Sequence, residues 1–300
     1  MANAVVHTDL REFPVRRGKV RDVYDLGREL LIVATDRLSA FDVILAEPIP
    51  DKGKILTALS AFWFRLTAAD FPNHLISTDI SAFPHELQKH RQVLEGRSML
   101  VKKGRVLPVE CIVRGYLTGS GWKEYQRSET VNGIKLSAGL EESAKLPEPI
   151  FTPTTKAEEG HDLPITYKEL ENTVGVELAE ELRRTSLALF KVGAQKAEES
   201  GIIIADTKFE FAILDGELIV VDEIFTPDSS RFWPLAQYTP GKSQPSFDKQ
   251  YVRDYLTGVN WDYTPPAPSL PAQVIADTRQ KYLEAYHLLT GEKLPGVDED

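Results

Sequence analysis

The stretch of sequence that decides the fold is ADTKFEFAILDGELIVVDEIFTPDSSRFW, residues 205–233. The Asp-Gly pair at 215–216 separates two runs of β-forming residues, and such a pair is a strong signal for a two-residue hairpin turn. Because side chains alternate along a strand, Lys208 and Glu210 lie on the face opposite Phe209. We therefore predict an antiparallel hairpin with one apolar face and one ionisable face that borders a cleft.

The register of this hairpin decides which carboxylates can meet. A two-residue turn pairs Glu210 with Val221, and that pairing directs Asp222 to the face of Phe209. Asp222 can join Glu210 only if the strand ends there or a bulge intervenes. Carboxylates at neighbouring strand ends are suitable ligands for Mg²⁺, a hard cation that prefers oxygen. Alternating surface charge without a site is the other interpretation of the same residues.

Three further segments combine charged residues with turn or glycine signals. In one of them Arg114 leaves a predicted buried strand, and the glycines after it let backbone N–H groups approach an anion closely. Ordinary turn chemistry, a solvated turn or a plain strand-to-helix connection would also explain such segments. Neither a GxGxxG dinucleotide motif nor a GxxxxGK[ST] phosphate loop is present. The segments are RRGKVRDVY (16–24), ATDRLSAFDVILAEPIPDKG (34–53) and VECIVRGYLTGSGW (109–122).

The composition narrows the class of protein. The 300 residues carry 35 basic and 45 acidic side chains, a net charge of −10, and 42% are hydrophobic. A negative surface disfavours nucleic acid and anionic membranes as partners. The single cysteine, Cys111, excludes an internal disulfide, and no apolar run approaches the ~20 residues that span a bilayer. We expect a cytoplasmic protein with no nucleic-acid, membrane or obligate protein partner.

The rest of the chain predicts strands first and helices later. Strands are expected over 19–24 and 29–35, followed by a helix over 54–68 with apolar side chains at helical spacing. A second hairpin is expected from strands 98–102 and 107–114, joined by a KKGR turn.

Helices dominate the C-terminal half of the prediction. The proline-rich stretch 146–164 is expected to be an ordered loop. A capping box at 166–169 opens a helical region that continues over 177–199. Two more helices are expected at 251–256 and 272–289. We therefore predict an α+β fold with an antiparallel N-terminal β lobe (1–113), an α+β lobe that holds the site (114–235) and a C-terminal helical segment (236–300).

Taken together, these segments resemble the SAICAR synthetase family of purine biosynthesis. Each motif alone is modest, but six in register are highly specific, and a seventh extends the match toward the C-terminus. The motifs are GKVRDVY (18–24), ATDRLSAFD (34–42), VECIVRGYLTGSGW (109–122), FTPTTKAEEGHD (151–162), ADTKFEF (205–211), DEIFTPDSSRFWP (222–234) and SFDKQYVRDYL (246–256).

The resemblance implies a fold, a reaction and its reactants. The fold would place ATP between the two lobes and would be related to protein kinases and ATP-grasp enzymes. The reaction would join L-aspartate to the carboxylate of 5-amino-1-(5-phospho-D-ribosyl)imidazole-4-carboxylate (CAIR), giving SAICAR, ADP and phosphate through an acyl phosphate. ATP and Mg²⁺ are the implied cofactors, and the partners are these small molecules.

The resemblance also assigns roles to residues of this chain. ATP would be bound by Lys19, Arg21, Glu110, Cys111, Ile112 and Glu210. Mg²⁺ would be held by Asp222 and Glu210. The ribonucleotide and its surroundings would involve Asp36, Arg37, Ser39, Arg114, Ser120 and Arg231. The catalytic group would comprise Asp42, Asp206, Lys208, Asp228 and Lys249. The family often has lysine where this chain has Arg21, a change that keeps the charge but alters the contact with phosphate.

Two other functions remain open from the residues alone. A small-molecule kinase would share the ATP lobe but release a stable phosphoester. A nucleotide-binding regulator would not need Asp206, Lys208 and Asp222, yet this chain has all three.

Overall fold

Residues 4–156 and 162–297 are described by the computed structural model, and they form two larger antiparallel sheets with helices packed on them. The strands are β1 (Val15–Arg17), β2 (Arg21–Asp25), β3 (Glu29–Ala34), β4 (Ser39–Ala40), β5 (Val43–Ile44), β6 (Leu75–Ser77), β7 (Ser98–Lys102), β8 (Arg105–Val106), β9 (Val109–Tyr116), β10 (Thr130–Val131), β11 (Ile134–Lys135), β12 (Lys145–Phe151), β13 (Thr154–Thr155), β14 (Ile202–Leu214), β15 (Glu217–Val221) and β16 (Ser230–Pro234). The helices are α1 (Lys52–Thr67), α2 (His85–Gln88), α3 (Arg91–Leu94), α4 (Gly119–Ser128), α5 (Tyr167–Val174), α6 (Val176–Glu199), α7 (Gln250–Gly258) and α8 (Ala272–Thr290).

The five-stranded sheet has the order β1-β2-β3-β7-β6. Alternation along β3 sends Leu31 and Val33 to one face, where they pack with Phe83. Ile32 points to the other face, in the same apolar cluster as Trp63 of α1. The sheet is therefore covered on both faces, which explains why β3 reads as a continuous apolar run.

The seven-stranded sheet is organised around β14, which pairs with β9, β15, β16 and β8. β14 is a single strand over residues 202–214, and Lys208 continues its pairing by facing Ile112 of β9. The predicted hairpin turn is confirmed by the positive φ at 215 and 216. Its register is confirmed as well, since Glu210 pairs with Val221.

The predicted hairpin of 98–102 with 107–114 is wrong. β7 pairs with β3 and β6, whereas β9 pairs with β12, β13 and β14. The intervening residues instead cross from one sheet to the other: a Cβ on Gly104 would lie 3.0 Å from Cβ of Ala212 in β14. The division at 113/114 stays a prediction, and the structure shows that β9 spans it as a strand of the larger sheet.

The proline-rich stretch 146–164 is only partly a loop. β12 (Lys145–Phe151) and β13 pair with β9. The pairing of β12 shifts between Lys145 and Ile150, where prolines cannot donate to a regular ladder. Residues 157–161, which belong to the FTPTTKAEEGHD motif (151–162), lie outside the described residues.

The predicted helices are confirmed by α1, α5, α6, α7 and α8, whereas α2 and α3 were not predicted. Thr166 and Glu169 form the expected capping box at the start of α5.

Phe225 lies between Trp63 of α1 and Phe209 of β14, with ring centroids 4.9 and 5.2 Å away, and so fixes the loop after β15 to the core. Within the described residues, no helix has the length and apolarity that crossing a bilayer requires.

Candidate active site

A cleft of about 920 Å³ opens between the two larger sheets. Part of its lining is apolar, with Val23, Leu30 and Ile32 from the five-stranded sheet and Val106 and Val221 from the seven-stranded sheet. Most of the remaining lining is polar or charged. The cleft therefore offers a flat apolar group a place beside a strongly charged region.

The ionisable face of β14 lies in this cleft, as its alternation predicts. Lys208 Nζ lies 2.5 Å from Oε1 of Glu110 and 3.7 Å from Oε1 of Glu210. Lys156 forms a second ion pair with Glu210. Burial opposes the charge on Lys208, but the carboxylates of Glu210 and Glu110 raise its pKa above its usual value. Burial likewise opposes ionisation of Glu210, but Lys208 and Lys156 lower its pKa.

Asp222 reaches the same part of the cleft because β15 ends at Val221. Its φ of 71° turns the chain out of the strand, so the side chain is released from the register that would send it to the apolar face. Nη1 of Arg21 lies 2.7 Å from Oδ1 of Asp222, and Nη2 lies 3.1 Å from Glu223. Burial raises the pKa of Asp222 to about 7, with repulsion from Glu210 and Glu223 adding to it and Arg21 opposing it.

A second charged group lies where β9, β14 and β16 meet. Oδ2 of Asp206 accepts from Nη1 of Arg114 at 3.1 Å and also from Arg231. Arg114 donates to the hydroxyl of Ser120 at 3.2 Å. A Cβ on Gly119 would lie 2.3 Å from Nη2 of Arg231, so only glycine lets this guanidinium approach the start of α4. Two guanidinium groups, a hydroxyl and a helix N-terminus suit an anion.

Asp228 and Lys249 also line the cleft, and their charges interact. Burial lowers the pKa of Lys249 to about 8, although the carboxylate of Asp228 partly offsets this. Burial opposes ionisation of Asp228 too, but Lys52 and Lys249 hold its pKa well below its usual value. An ionised carboxylate therefore interacts with an amine whose pKa lies at about 8, below its usual value.

Two predicted substrate residues lie behind the cleft instead of lining it. The carboxylate of Asp36 accepts from the backbone N–H of Val5 at 2.7 Å, from that of Gly53 at 2.9 Å and from Arg97 at 2.9 Å. Arg37 pairs with Asp22 at 3.0 Å. Both side chains are buried, and they fix the start of α1 and the turn before β2 in place.

The remaining predicted residues divide between the cleft and the sheet. Ser39, Lys19 and Asp42 line the cleft, and Lys19 pairs with Asp42. Cys111 is fully buried, and burial raises its pKa to about 12. Its neighbour Ile112 uses its carbonyl to accept from the backbone N–H of residue 152 at 2.8 Å. The backbone at 110–112 is thus engaged by neighbouring strands, whereas Lys102 at the end of β7 and Gly104 in the connection after it line the cleft.

Comparisons with known proteins agree over nearly the whole chain. The family model for SAICAR synthetase matches residues 14–269. The phosphoribosylaminoimidazole-succinocarboxamide synthase of Geobacter metallireducens is 58% identical over 294 residues, which cover 97% of this chain and 99% of that protein. The chain belongs to the SAICAR synthetase family. The resemblance stated from the motifs is confirmed, and with it the prediction of an ATP-dependent carbon–nitrogen ligase.

Solved structures of SAICAR synthetases confirm the α+β fold class. The SAICAR synthase of Saccharomyces cerevisiae, in complex with SAICAR, is 45% identical, with a TM-score of 0.89 over 97% of this chain and 100% of that one. A SAICAR synthetase in complex with ADP is 25% identical, with a TM-score of 0.67 over 93% of this chain and 99% of that one.

The cleft of this family member gathers most of the predicted residues. Those that line it are Lys19, Arg21, Ser39, Asp42, Glu110, Ser120, Lys208, Glu210, Asp222, Asp228, Arg231 and Lys249. Arg114 and Asp206 lie directly behind Ser120 and Arg231. The sequence analysis did not single out His74, Lys102 or Arg253, which also line the cleft. Arg253 could have been found, since it follows Lys249 by four residues and so shares its face of a helix.

Proposed function

We propose that this cleft joins L-aspartate to the carboxylate of CAIR with ATP as the energy source, giving SAICAR, ADP and phosphate. The observation that carries the proposal is the arrangement of three parts in one cleft: an apolar slot, an acidic strand end and an arginine-rich anion pocket. These parts suit a purine base, a metal-bound polyphosphate and a ribonucleotide phosphate.

In this proposal, ATP lies between the two sheets. Its adenine occupies the slot formed by Val23, Leu30, Ile32 and their partners, with its edge toward the connection 102–106. Lys19 and Arg21, from the turn before β2 and from β2 itself, cover the phosphates. To do so Lys19 exchanges its ion pair with Asp42 for the incoming phosphate, an exchange of one anion for another that keeps the lysine paired.

The residues present fit Mg²⁺ held together with ATP. Among the described residues, no group of three or more His, Cys, Asp or Glu side chains converges as a metal cage. Mg²⁺ does not need one, because it is commonly bound by one or two carboxylates together with substrate phosphates and water. Asp222 and Glu210 would supply those carboxylates, and both side chains line the same cleft. When bound, the ion would neutralise charge on the phosphates.

The ribonucleotide phosphate of CAIR is assigned to Arg114, Ser120 and Arg231. Charge-assisted bonds from guanidinium groups are strong and directional. Asp206 fixes both guanidinium groups and so sets the geometry of the pocket before the substrate arrives.

The chemistry then follows in two steps. An oxygen of the CAIR carboxylate attacks the γ-phosphorus of ATP, and the bond to ADP breaks, leaving an acyl phosphate. The amine of L-aspartate attacks the acyl carbon, the C–N bond forms, and phosphate leaves as the C–O bond breaks. Lys208 stabilises charge on the transferred group. Asp228 binds the incoming ammonium group, and Lys249, with its lowered pKa, lies beside it to accept the proton.

Phosphate release measured with each substrate omitted in turn tests this function. We expect phosphate from ATP only when CAIR and L-aspartate are both present, in a 1:1 ratio with SAICAR. Omitting ATP, CAIR or aspartate should each abolish product. Formation of a stable phosphorylated CAIR without aspartate would instead support the small-molecule kinase and contradict the proposal.

A further inference from the structure

Asp228 is held from behind by two side chains that do not line the cleft. Nζ of Lys52, at the start of α1, lies 2.7 Å from Oδ2. The hydroxyl of Tyr282, on α8, donates to Oδ1 at 3.0 Å. Lys52 and Tyr282 are both 0% exposed. One carboxylate thus has each oxygen bound by a buried group from a different helix.

The fold alone does not require this arrangement. A buried ion pair is weak support for stability, since apolar residues of similar volume often serve as well. Phe225 and the surrounding rings already anchor the loop that carries Asp228. The bonds from Lys52 and Tyr282 do something more specific, because they define the direction and the ionisation of a carboxylate at the cleft wall.

The charged groups facing Asp228 come from four elements. Lys52 belongs to α1, Tyr282 to α8, Lys249 to the residue before α7, and Arg21 to β2. Lys52, Lys249 and Arg21 are cations. The fourth group is the hydroxyl of Tyr282, and it keeps its proton because burial and nearby carboxylates raise its pKa. All four favour the ionised form of Asp228.

We propose that Lys52 and Tyr282 are positioning residues for the amine step of the ligation. They hold Asp228 ionised and in one orientation, so that it binds the ammonium group of the incoming L-aspartate. The inference rests on the proposed function of the cleft and deepens it. Tyr282 lies beyond residues 14–269, so the match to the family model says nothing about it.

The first test replaces Tyr282 by phenylalanine, which removes the hydroxyl and keeps the ring. Loss of one hydrogen bond to a charged group should raise the KM for L-aspartate about tenfold. The KM values for ATP and CAIR should stay within about twofold, because those substrates do not meet Asp228. The matched control is Tyr286→Phe, one turn further along α8, where the ring is also buried and Asp228 is not a partner.

The second test is a pH profile of Lys52→Met. Aspartate binding requires ionised Asp228 and is lost as pH falls through its pKa. Removing the buried ammonium raises that pKa, so the acidic limb of kcat/KM for aspartate should move to higher pH than in wild type. If Lys52 only stabilised the fold, its replacement would lower the free energy of unfolding without moving this acidic limb.

The outcomes separate the two proposals. If wild type makes no SAICAR, the proposed function itself fails. If wild type is active but Tyr282→Phe changes all three KM values alike, or none, the positioning role is overturned. An acidic limb that is unmoved in Lys52→Met would overturn it independently.

Discussion

At the scale of single residues, Asp222 carries the sharpest prediction. Its carboxylate has a pKa raised to about 7 by burial and by two neighbouring carboxylates, which is the environment of a site that receives a cation. We expect Asp222→Asn to lower kcat at least about a hundredfold, since it removes charge from the proposed Mg²⁺ site. The thermal midpoint should stay within about 3 °C of wild type, because asparagine has the same shape and no charge to bury.

The control for this change is Asp215→Asn in the turn of the same hairpin. Asp215 has a φ of 52°, a conformation that asparagine adopts readily, and its side chain lies on the surface. Activity and stability should both be unchanged. Retained turnover with unaltered Mg²⁺ dependence in Asp222→Asn would contradict the assigned role.

Residues on the hairpin were predictable because local rules determine them. Alternation placed Lys208 and Glu210 together, and the turn register showed that Asp222 needed a strand end to join them. Lys52 and Tyr282 were not predictable in this way. Tyr282 lies in a helical pattern typical of an ordinary core position, and Lys52 precedes the predicted helix 54–68. Their meeting at Asp228 depends on how distant helices pack.

At the scale of elements, α6 supports the site through a glycine. A Cβ on Gly193 would lie 2.2 Å from Cζ of Phe225, whose ring is fully buried. We expect Gly193→Ala to destabilise the protein by about 1–3 kcal/mol through overpacking, although alanine is the better helix former. Displacement of Phe225 should also lower activity, since the loop after it carries Asp228.

Gly258→Ala, at the end of α7, is the matched control. No atom lies within 4 Å of the added Cβ, so the change should be neutral or stabilise by up to about 1 kcal/mol. Urea unfolding of both variants gives the comparison. Equal effects of the two substitutions would show that helix propensity, and not contact with Phe225, decides the result.

The limits of prediction are also visible at this scale. Strands 98–102 and 107–114 were located correctly in sequence, yet they were wrongly paired with each other. A short turn-like connection predicts a hairpin, but it cannot show that one strand completes the first sheet while the next pairs with β14, about a hundred residues later. Choice of partner depends on long-range packing. The same crossing connection then lines the apolar slot of the cleft.

At the scale of the whole molecule, charge is distributed unevenly. The chain has a net charge of −10, yet many cations line the one cleft described above. ATP, CAIR and L-aspartate are all anionic under neutral conditions, and the lysine and arginine side chains of the cleft provide cations for them to bind. A net negative charge is therefore compatible with anionic substrates, because the net charge belongs to the whole chain whereas the substrates meet the cations that line the cleft.

The stability of the whole molecule should depend on pH through His74, which is buried at the edge of the cleft. Burial lowers its pKa from 6.5 to about 3, with Arg21 adding to the effect. In the unfolded chain this histidine binds a proton below about pH 6.5, whereas in the folded protein it stays neutral down to about pH 3. Acidification across this window therefore favours unfolding. Asp222 acts in the opposite direction, since its raised pKa lets the folded state take up a proton below about pH 7.

Comparison of wild type with His74→Gln separates the two effects, because Asp222 is common to both proteins. The loss of the edge contact between His74 and Phe64 gives a constant difference in unfolding free energy above pH 6.5. Between pH 7 and pH 5 we expect wild type to lose about 2 kcal/mol relative to the variant, at about 1.4 kcal/mol per pH unit below 6.5. Equilibrium urea unfolding at both pH values measures this difference. Parallel curves would mean that His74 is protonated in the folded protein, with a carboxylate near enough to offset its burial.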